Sequence, residues 1–417
     1  MNKRLLFKYL PTIAIVIVAS AVLAVVLIIS GRDSIDPNST LGKLVGGAAD
    51  KLNAVLDIEE NPKLEYRLYE RAPSDAVELV IPDGVTAIAW NAFQDCPDLE
   101  SVVFPNSVNL IPAKAFYGHQ KLKSVVLPVH ASIDEHAFDW CTALESVTLN
   151  RDSRPVAPVW KADDEEGGRF YHAKHDRAFI GERAFSSCHA LKQFEFPVGI
   201  RSIGESAFGD CVSLEAFVVP EGVETIDELA FCQCGRLKSI RLPDSVKVIG
   251  PKAFLNCDAL EDLKLPAGPV DFGEHAFESC FALKHFKFPP LSSATLPNVL
   301  YNCRDLETVE LPSGITAIAE NAFESCHNLR EVRIPEGVKT IKYRAFIGCE
   351  KLERVTLPAS LKSIEKSAFA WCSALKEIAI PESVTEIADN AFKGSPCEGS
   401  FRKQMESRRA AGQSEGN

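Results

Sequence analysis

The side chains with the widest chemical potential in this sequence are its cysteines, of which the 417-residue chain has 13. Thiolates act as nucleophiles, metal ligands and disulfide partners, and an odd number excludes a fully paired disulfide framework within one chain. Eleven cysteines share one position, three residues after a phenylalanine or its substitute: Cys96, Cys141, Cys188, Cys211, Cys234, Cys257, Cys280, Cys303, Cys326, Cys349 and Cys372. His119 and Ser395 fill that position in two further repeats.

A position that recurs so regularly predicts a cysteine ladder rather than a reactive site. Stacked side chains in register point the same way, which suits the torsion of a disulfide poorly. Zinc needs ligands clustered in a tetrahedron, which a linear series does not offer. We therefore expect a buried ladder of small side chains with weak S–H donors. Cys232 and Cys397 lie outside the ladder, and a redox pair of Cys232 with Cys234 is an alternative.

One segment combines histidines with carboxylates. Residues 163–166 are two aspartates and two glutamates, and His172, His175 and Asp176 follow. These groups could bind a metal, but no third fixed ligand or helix presents them, so we interpret 151–174 as a solvated loop. Such a loop could also contact a partner. The sequence contains no nucleophile-elbow, zincin or P-loop motif, so we expect no catalytic residue, no cofactor and no metal.

The spacing of these residues is set by a recurring Ala-Phe pair. Its phenylalanines are Phe93, Phe116, Phe138, Phe185, Phe208, Phe231, Phe254, Phe277, Phe323, Phe346, Phe369 and Phe392. Leu300 takes the slot after Phe277. The steps are 23 residues, apart from one of 22 that ends at Phe138 and one of 47 between Phe138 and Phe185. A fixed period of this length is typical of a solenoid.

The shared unit is P-x-x-V-x-x-I-x-x-x-A-F-x-x-C-x-x-L-x-x-V-x-L. Its last segment alternates apolar and polar residues, which predicts a short strand with one buried face. A proline, which cannot extend the hydrogen-bonded ladder, follows this strand in twelve repeats. Because no unit can bury its own apolar residues, we expect stacked coils with a shared core. The sequence predicts an α/β repeat solenoid with one parallel sheet of about thirteen short strands, from 77–81 to 378–380.

The repeat resembles the BspA-type leucine-rich repeat family, also called the Treponema-type. In common leucine-rich repeats an Asn or Cys follows the L-x-L strand. Here the cysteine precedes the strand, and Pro-x-x-Val-x-x-Ile follows it. The resemblance covers residues 64–394. It implies an exported or surface-attached microbial protein that takes part in adhesion and protein binding.

An alternation of charge supports direct stacking of the coils. The residue after each pre-strand leucine changes sign at every step: Glu100, Lys123, Glu145, Lys192, Glu215, Lys238, Glu261, Lys284, Glu307, Arg330, Glu353 and Lys376. Stacked like charges would repel, and alternation removes that conflict. Descent from a duplicated two-repeat unit would give the same pattern. The sign of the charge also changes between Glu145 and Lys192, which flank the 47-residue step. We therefore expect the coils on either side of this step to be neighbours.

The N-terminal residues carry a membrane signal. Three basic residues among the first eight precede an uncharged, mostly aliphatic stretch long enough to cross a bilayer as a helix, and Arg32 and Asp33 end it. This charge distribution predicts a transmembrane anchor over 1–32 with a cytoplasmic N-terminus and the repeats outside the cell. A cleaved signal peptide, which would give a secreted protein, is the alternative, because residues 19–21 resemble a cleavage site.

Composition sets the remaining boundaries. Residues 33–63 form a linker and a short amphipathic helix, 64–394 the repeat domain, and 395–417 a disordered tail. We expect a small helix and a strand near Leu64 to Tyr69 to cap the first coil.

Outward-facing strand residues form the candidate partner-binding surface. It comprises Val80, Val103, Val126, Val218, Arg241, Lys264 and Lys287. An exposed apolar stripe can mark an interaction site, although β-branched residues also simply suit strands. A net charge of −12 disfavours nucleic acid as a partner. The sequence therefore predicts a non-catalytic protein that binds a protein or glycan outside the cell. A structural stalk without a ligand and an enzyme built on 151–174 are the alternatives.

Overall fold

The computed structural model describes residues 68–151 and 178–404, which belong to a compact unit spanning Arg67–Asn417. The predicted membrane anchor, the predicted capping helix and all of the 151–174 loop except Arg151 lie outside the described residues. The described part of the chain is a stack of coils, each built from two short parallel strands and a turn-rich segment around the Ala-Phe pair.

The strands that follow the pre-strand leucine form the strand side of the solenoid. They are β2 (Glu78–Val80), β4 (Ser101–Val103), β6 (Ser124–Leu127), β8 (Ser146–Leu149), β10 (Gln193–Phe194), β12 (Ala216–Val218), β14 (Ser239–Arg241), β16 (Asp262–Lys264), β18 (His285–Lys287), β20 (Thr308–Glu310), β22 (Glu331–Arg333) and β24 (Arg354–Thr356).

A second ladder of parallel strands lies in the segment that follows the strand-ending proline. Its strands are β1 (Leu68–Tyr69), β3 (Ala87–Ile88), β5 (Leu110–Ile111), β7 (Ser132–Ile133), β9 (Phe179–Ile180), β11 (Ser202–Ile203), β13 (Thr225–Ile226), β15 (Val248–Ile249), β17 (Asp271–Phe272), β19 (Thr295–Leu296), β21 (Ala317–Ile318), β23 (Thr340–Ile341), β25 (Ser363–Ile364) and β26 (Glu386–Ile387). Each of them is two residues long, which is too short for an alternating pattern to reveal in the sequence.

The Ala-Phe pairs and the cysteine ladder form the phenylalanine side. Phe231 and Phe254 are fully buried and stack with ring centroids 5.3 Å apart, and Phe277 continues the stack at 4.9 Å from Phe254. Backbone bonds join the same coils, since the Phe254 N–H donates to the Ala276 carbonyl at 2.8 Å. The prediction that the repeated phenylalanines pile up in the core is confirmed.

Left-handed residues flank most of the Ala-Phe pairs. In one coil these are Lys252, with φ of 54°, and Asn256, with φ of 57°. The N–H groups of Lys252, Phe254 and Asn256 all donate to carbonyls of the following coil. A positive φ is costly for residues with a Cβ, and here it accompanies a turn whose alternate N–H groups all face one neighbour. The turn thus satisfies backbone groups that would otherwise be buried without partners.

The coils on either side of the 47-residue step are direct neighbours, as the charge parity predicts. Ser146 of β8 pairs with Gln193 of β10, and the rings of Phe138 and Phe185 stack at 5.0 Å. Lys192 Nζ lies 3.1 Å from Glu145 Oε2. The coils before and after the extra residues are therefore in register with each other.

The prediction of one continuous sheet needs correction. The strand side is divided into sheets of five, three and four strands, with breaks between β10 and β12 and between β16 and β18. Residues 378–380, predicted as the last strand, are not a strand. Within the described residues helical structure is confined to 398–404, so the coils are built from strands and turns rather than from α/β units.

Both ends of the stack are covered. The strand predicted near Leu64 to Tyr69 is β1, which pairs with β3, and the Tyr69 ring stacks on Phe93 at 6.0 Å. At the other end, residues 395–404 differ from the predicted disordered tail. Cys397 and Phe401 are buried there, and the Phe401 ring packs 4.9 Å from Phe392. This segment is ordered because it covers an apolar coil face that would otherwise meet water.

Candidate functional site: the strand side and its cleft

The candidate binding residues lie in one column of the strand side. Val80 pairs in register with Val103, and Val103 with Val126, in the first sheet. The remaining candidates stand in the other two sheets: Val218, Arg241 and Lys264 are in register across β12, β14 and β16, and Lys287 lies on β18. The structure thus aligns the predicted residues, but distributes them over three sheets.

Two valines of this column are strongly exposed. Val80 is 70% and Val218 is 68% exposed, whereas Val103 and Val126 are half-buried. The strand alternation explains their direction, because the adjacent Phe217 and Val102 point into the core. Exposed valines in a column give the strand side an apolar stripe at its N-terminal part, of the kind that can bind a partner.

The three basic candidates differ in their surroundings. Arg241 makes a bidentate pair with Asp262, which holds the pKa of that carboxyl below its usual value. Lys287 Nζ lies 2.9 Å from Glu310 Oε2, and this bond raises the pKa of the lysine. Lys264, between them along the column, has no ion-pair partner in the described part of the chain. Only Lys264 of the three therefore presents an unneutralised charge.

The break between β16 and β18 opens a cleft. The second ladder is interrupted at the same level, between β17 and β19, where an isolated bridge from Val270 to Leu291 replaces it. The phenylalanine side stays closed there, since the Phe277 N–H donates to the Val299 carbonyl at 2.9 Å. The solenoid therefore opens on its strand side only.

The cleft has a volume of about 530 Å³. One wall is residues 263–267, and the other runs from His285 to Pro290 with Thr308 and Glu310 behind it. Phe286 and Phe288 pack edge to face at 4.7 Å, and Phe288 also meets Phe272 at 6.2 Å. These rings, with the adjacent prolines at 289 and 290, occupy positions that hold Val or Leu and a single proline in most repeats.

The sequence interpretation includes Lys264 and Lys287 but misses the cleft between them. The amino-acid sequence does contain a signal of the cleft. The strand at 285–287 has phenylalanine at its centre, two prolines follow it, and Pro269 stands where the pattern has its first valine. These departures coincide with the place where both ladders open. The shape of the opening still requires the three-dimensional structure.

The cysteine ladder is confirmed as a core element. Cys257 Sγ donates to the Phe231 carbonyl oxygen of the preceding coil at 3.2 Å, and the other ladder thiols repeat this bond. Cys96, in the first coil, donates to Pro73 instead. Burial raises the pKa of Cys303 to about 12, so these thiols stay protonated and unreactive near neutral pH.

The two substitutes in the ladder explain what the position requires. His119 Nε2 donates to the Phe93 carbonyl at 3.0 Å, and Ser395 Oγ donates to the Phe369 carbonyl at 2.7 Å. The position therefore takes a small or flat side chain that can donate one hydrogen bond to the preceding coil. In this way, the buried carbonyl of the preceding coil always has a hydrogen-bond donor.

The redox and metal alternatives find little support in the described residues. All 13 cysteines are unpaired and buried, and burial raises the pKa of Cys232 to about 11, which opposes a reactive thiolate beside Cys234. Among the residues that the structure describes, no group of three or more His, Cys, Asp or Glu could hold a metal. The histidines of the 151–174 loop lie outside those residues.

The fold is that of a leucine-rich repeat solenoid. The chain matches the BspA type leucine rich repeat region in six copies, over residues 69–156, 178–299 and 293–401. These ranges take in most of the chain, and the protein belongs to this family. No curated protein matches the chain.

Solved structures include similar proteins. A leucine-rich repeat protein from Bacteroides ovatus is 24% identical, with a TM-score of 0.53, over 75% of this chain and 84% of its own. A leucine-rich repeat protein from Eubacterium ventriosum is 22% identical, with a TM-score of 0.43, over 73% of this chain and 85% of its own. A leucine rich cell surface protein from Faecalibacterium prausnitzii is 24% identical, with a TM-score of 0.41, over 77% of this chain and 80% of its own. The first of these supports the fold.

Across residues 68–151 and 178–404 no helix has the length and apolar character needed to cross a bilayer. The predicted anchor over 1–32 lies outside these residues and stays a prediction.

Proposed function

We propose that this protein is a non-catalytic binding or adhesion protein that presents its repeat domain outside the cell. The N-terminal span holds it in the membrane with the N-terminus in the cytoplasm. The strand side binds a protein or glycan partner. Membership of a repeat-scaffold family supports a binding role, because such scaffolds spend most of their residues on stacking.

The exposed apolar column carries this proposal. Val80 and Val218 are each more than two-thirds exposed on a surface where the pattern equally allows polar residues such as Thr148 or Glu195. Leaving valine in water gains nothing for stability. An aligned column of such residues is accounted for by a partner that covers it.

Attachment to cells tests the binding surface. Replacing Val80 and Val218 by serine, Arg241 by glutamine and Lys264 by glutamate should abolish attachment to target cells while the unfolding midpoint stays near that of the wild type. The control replaces Arg333 and Thr356, which lie in the same column further along the stack. Unchanged attachment by the first variant would reject this surface as the binding site.

Protease shaving of intact cells tests the location. Loss of the repeat domain from whole cells is the expected result, with a cytoplasmic protein as the control for lysis. Full protection of the repeats until the cells are broken would contradict the orientation.

A structural stalk without a specific ligand is the second candidate. It is favoured by the ion pairs of Arg241 and Lys287, because a charge that is neutralised within its own surface offers less to a partner. Under this proposal the four-residue variant attaches as well as the wild type, whereas shortening the stack by whole repeats changes the reach of the protein.

A further inference from the structure

We infer that the cleft between β16 and β18 binds an extended, acidic peptide segment of a protein partner, which adds to an open strand edge. This inference deepens the proposed binding function by naming a partner class for one part of the strand side. It depends on local geometry, so its test does not require attachment to cells.

Unpaired backbone groups line both walls of the cleft. At the regular junction before it, between β14 and β16, the Glu261 N–H donates to the Lys238 carbonyl at 3.0 Å, and the Leu242 N–H to the Lys264 carbonyl at 2.9 Å. The equivalent donors one coil later are the N–H groups of Lys284 and Leu265. In the part of the chain that the structure describes, these two have no such acceptor, because β16 and β18 do not pair. Open strand edges are templates for an added strand.

The cleft is held open by the rest of the coil. The Phe254 and Phe277 rings stack at 4.9 Å, and Cys280 Sγ donates to the Phe254 carbonyl at 3.3 Å, so the phenylalanine side has its regular spacing at this level. On the strand side, the aromatic rings of Phe286 and Phe288 occupy inward positions where most other repeats have smaller side chains. A site that is already formed loses less entropy when a ligand binds.

The chemistry of the walls favours a peptide over a glycan. Phe286 and Phe288 are 3% and 5% exposed, so their ring faces are not available to stack on sugar rings. Leu265 and Pro290 instead offer small apolar surfaces beside the unpaired backbone. Alternating side chains of a strand would fit such a wall with one face, while its backbone bonds to the edge.

The charge of the rim selects acidic residues. Lys264 has no ion-pair partner among the described residues, and Lys287, although paired with Glu310, lies on the opposite rim. His285, whose Nδ1 is 2.8 Å from the Thr308 hydroxyl, adds a polar ring to the same rim as Lys287. Because Lys287 and Glu310 neutralise each other, the lining carries one net positive charge, from Lys264, in a chain with a net charge of −12. An acidic ligand would complement it and would be steered towards it.

Fluorescence anisotropy with a defined peptide tests the inference. The ligand is a blocked, labelled peptide of alternating valine and glutamate, about eight residues long as in a typical strand. It is titrated with the purified full-length protein. One control peptide replaces glutamate by lysine, and a second carries N-methyl groups on alternate amides, which prevents strand pairing. We expect saturable binding of the first peptide alone.

Three variants locate the site. Lys264→Glu should weaken binding about five- to tenfold, with a smaller dependence on salt, and Ala267→Trp should block the cleft. Arg333→Glu, the same change in an unbroken part of the column, should bind like the wild type. Their unfolding midpoints confirm that the exposed substitutions leave the fold intact.

Several results would overturn the inference. Equal binding of the N-methylated peptide would exclude strand addition, and equal binding of the lysine peptide would exclude acidic selectivity. If Arg333→Glu weakened peptide binding as much as Lys264→Glu does, the binding site would not be in the cleft. Absence of binding at all would refute the peptide cleft, whereas the attachment assay decides the proposed adhesion function separately.

Discussion

The two sides of this solenoid follow the same 23-residue period but differ in regularity. On the phenylalanine side, rings stack at 4.9 to 5.5 Å from Phe116 to Phe277, and the thiol bonds continue where Leu300 interrupts the rings. On the strand side, hydrogen bonding breaks twice in the same length of chain. One side keeps the coils together, and the other tolerates variation.

The difference shows where a repeat protein can vary. A buried phenylalanine and a buried donor are fixed in size and in hydrogen bonding, so substitution there is costly. On the strand side, the outward-facing side chains contact water, so valine, lysine and glutamate are all accepted at these positions. Even the inward strand positions accept phenylalanine when the ladder opens, as at Phe194 and Phe217, whose rings lie 5.9 Å apart across the first break.

The largest effect on stability is expected when the pH is raised, because the buried thiols of the cysteine ladder are protonated in the folded state. Burial raises the pKa of Cys257 well above the ordinary thiol value of 9.0, and the other buried ladder thiols share this shift. Their contribution to stability is complete below pH 9.0 and is lost as pH rises towards the folded pKa, because unfolded thiols release protons that folded ones keep. Each costs about 1.4 kcal/mol per pH unit in that window.

The losses of the ladder thiols act in the same direction, because each thiol is buried and protonated in the folded state. Thermal unfolding under reducing conditions should therefore show a steep fall of the midpoint between about pH 9 and about pH 11. In a Cys257→Ser variant, the free energy of unfolding should depend less steeply on pH, because one proton fewer is released on unfolding. A midpoint that is constant over this range would contradict the buried, protonated ladder.

The next largest effect should come from Phe254→Ala. The side chain is fully buried between two stacked rings, so its removal should lower the free energy of unfolding by about 3–5 kcal/mol. The matched change on the strand side, Val80→Ala, should stay within about 0.5 kcal/mol. Urea titration measures both, and similar costs for the two variants would erase the distinction between the sides.

A smaller effect should separate two substitutions of one ladder cysteine. Cys257→Val removes the donor to the Phe231 carbonyl and adds a branched side chain, which should cost about 1–3 kcal/mol. Cys257→Ser keeps a donor, as Ser395 does naturally, and should cost less than the valine variant. If valine were the better substitute, the position would be selected for apolar volume and not for its hydrogen bond.

Charge reversal on the strand side should have only a small effect. Lys238 Nζ lies 3.0 Å from Glu215 Oε2, and both side chains are well exposed. Lys238→Glu should lower the urea midpoint less than either cysteine substitution, because water screens the pair, and high salt should remove the difference. Lys238→Gln, which removes the charge without setting a like charge beside its neighbours, should lower the midpoint less than Lys238→Glu. Equal effects of the two variants would show that alternation is not an electrostatic device.

The smallest effect is expected from shortening the 47-residue step. Deleting residues 152–175 restores a 23-residue spacing between Phe138 and Phe185, whose coils already stack. The unfolding midpoint should not change. A marked loss of stability would show that the deleted residues support the stack, and retained stability with lost attachment would assign them to partner binding.

Much of the fold could be predicted because each repeat constrains the next. The phenylalanine period, the cysteine slot and the charge parity all specify which side chains meet, and the contacts of Phe138 with Phe185 agree with them. The candidate surface was predictable only as a column of residues. Whether Arg241 is neutralised by Asp262, or Lys264 has no ion-pair partner among the described residues, depends on side-chain placement across coils.

By itself, the sequence determined the stacking, since a period that places identical side chains every 23 residues has few ways to bury them other than against their own copies. Only the tertiary structure decided where the stacking is incomplete. The cleft beside β18 arises because β16 and β18 separate while a single bridge replaces the second ladder and the phenylalanine side stays bonded. That balance depends on how aromatic rings and prolines share space between two coils, which no single repeat specifies.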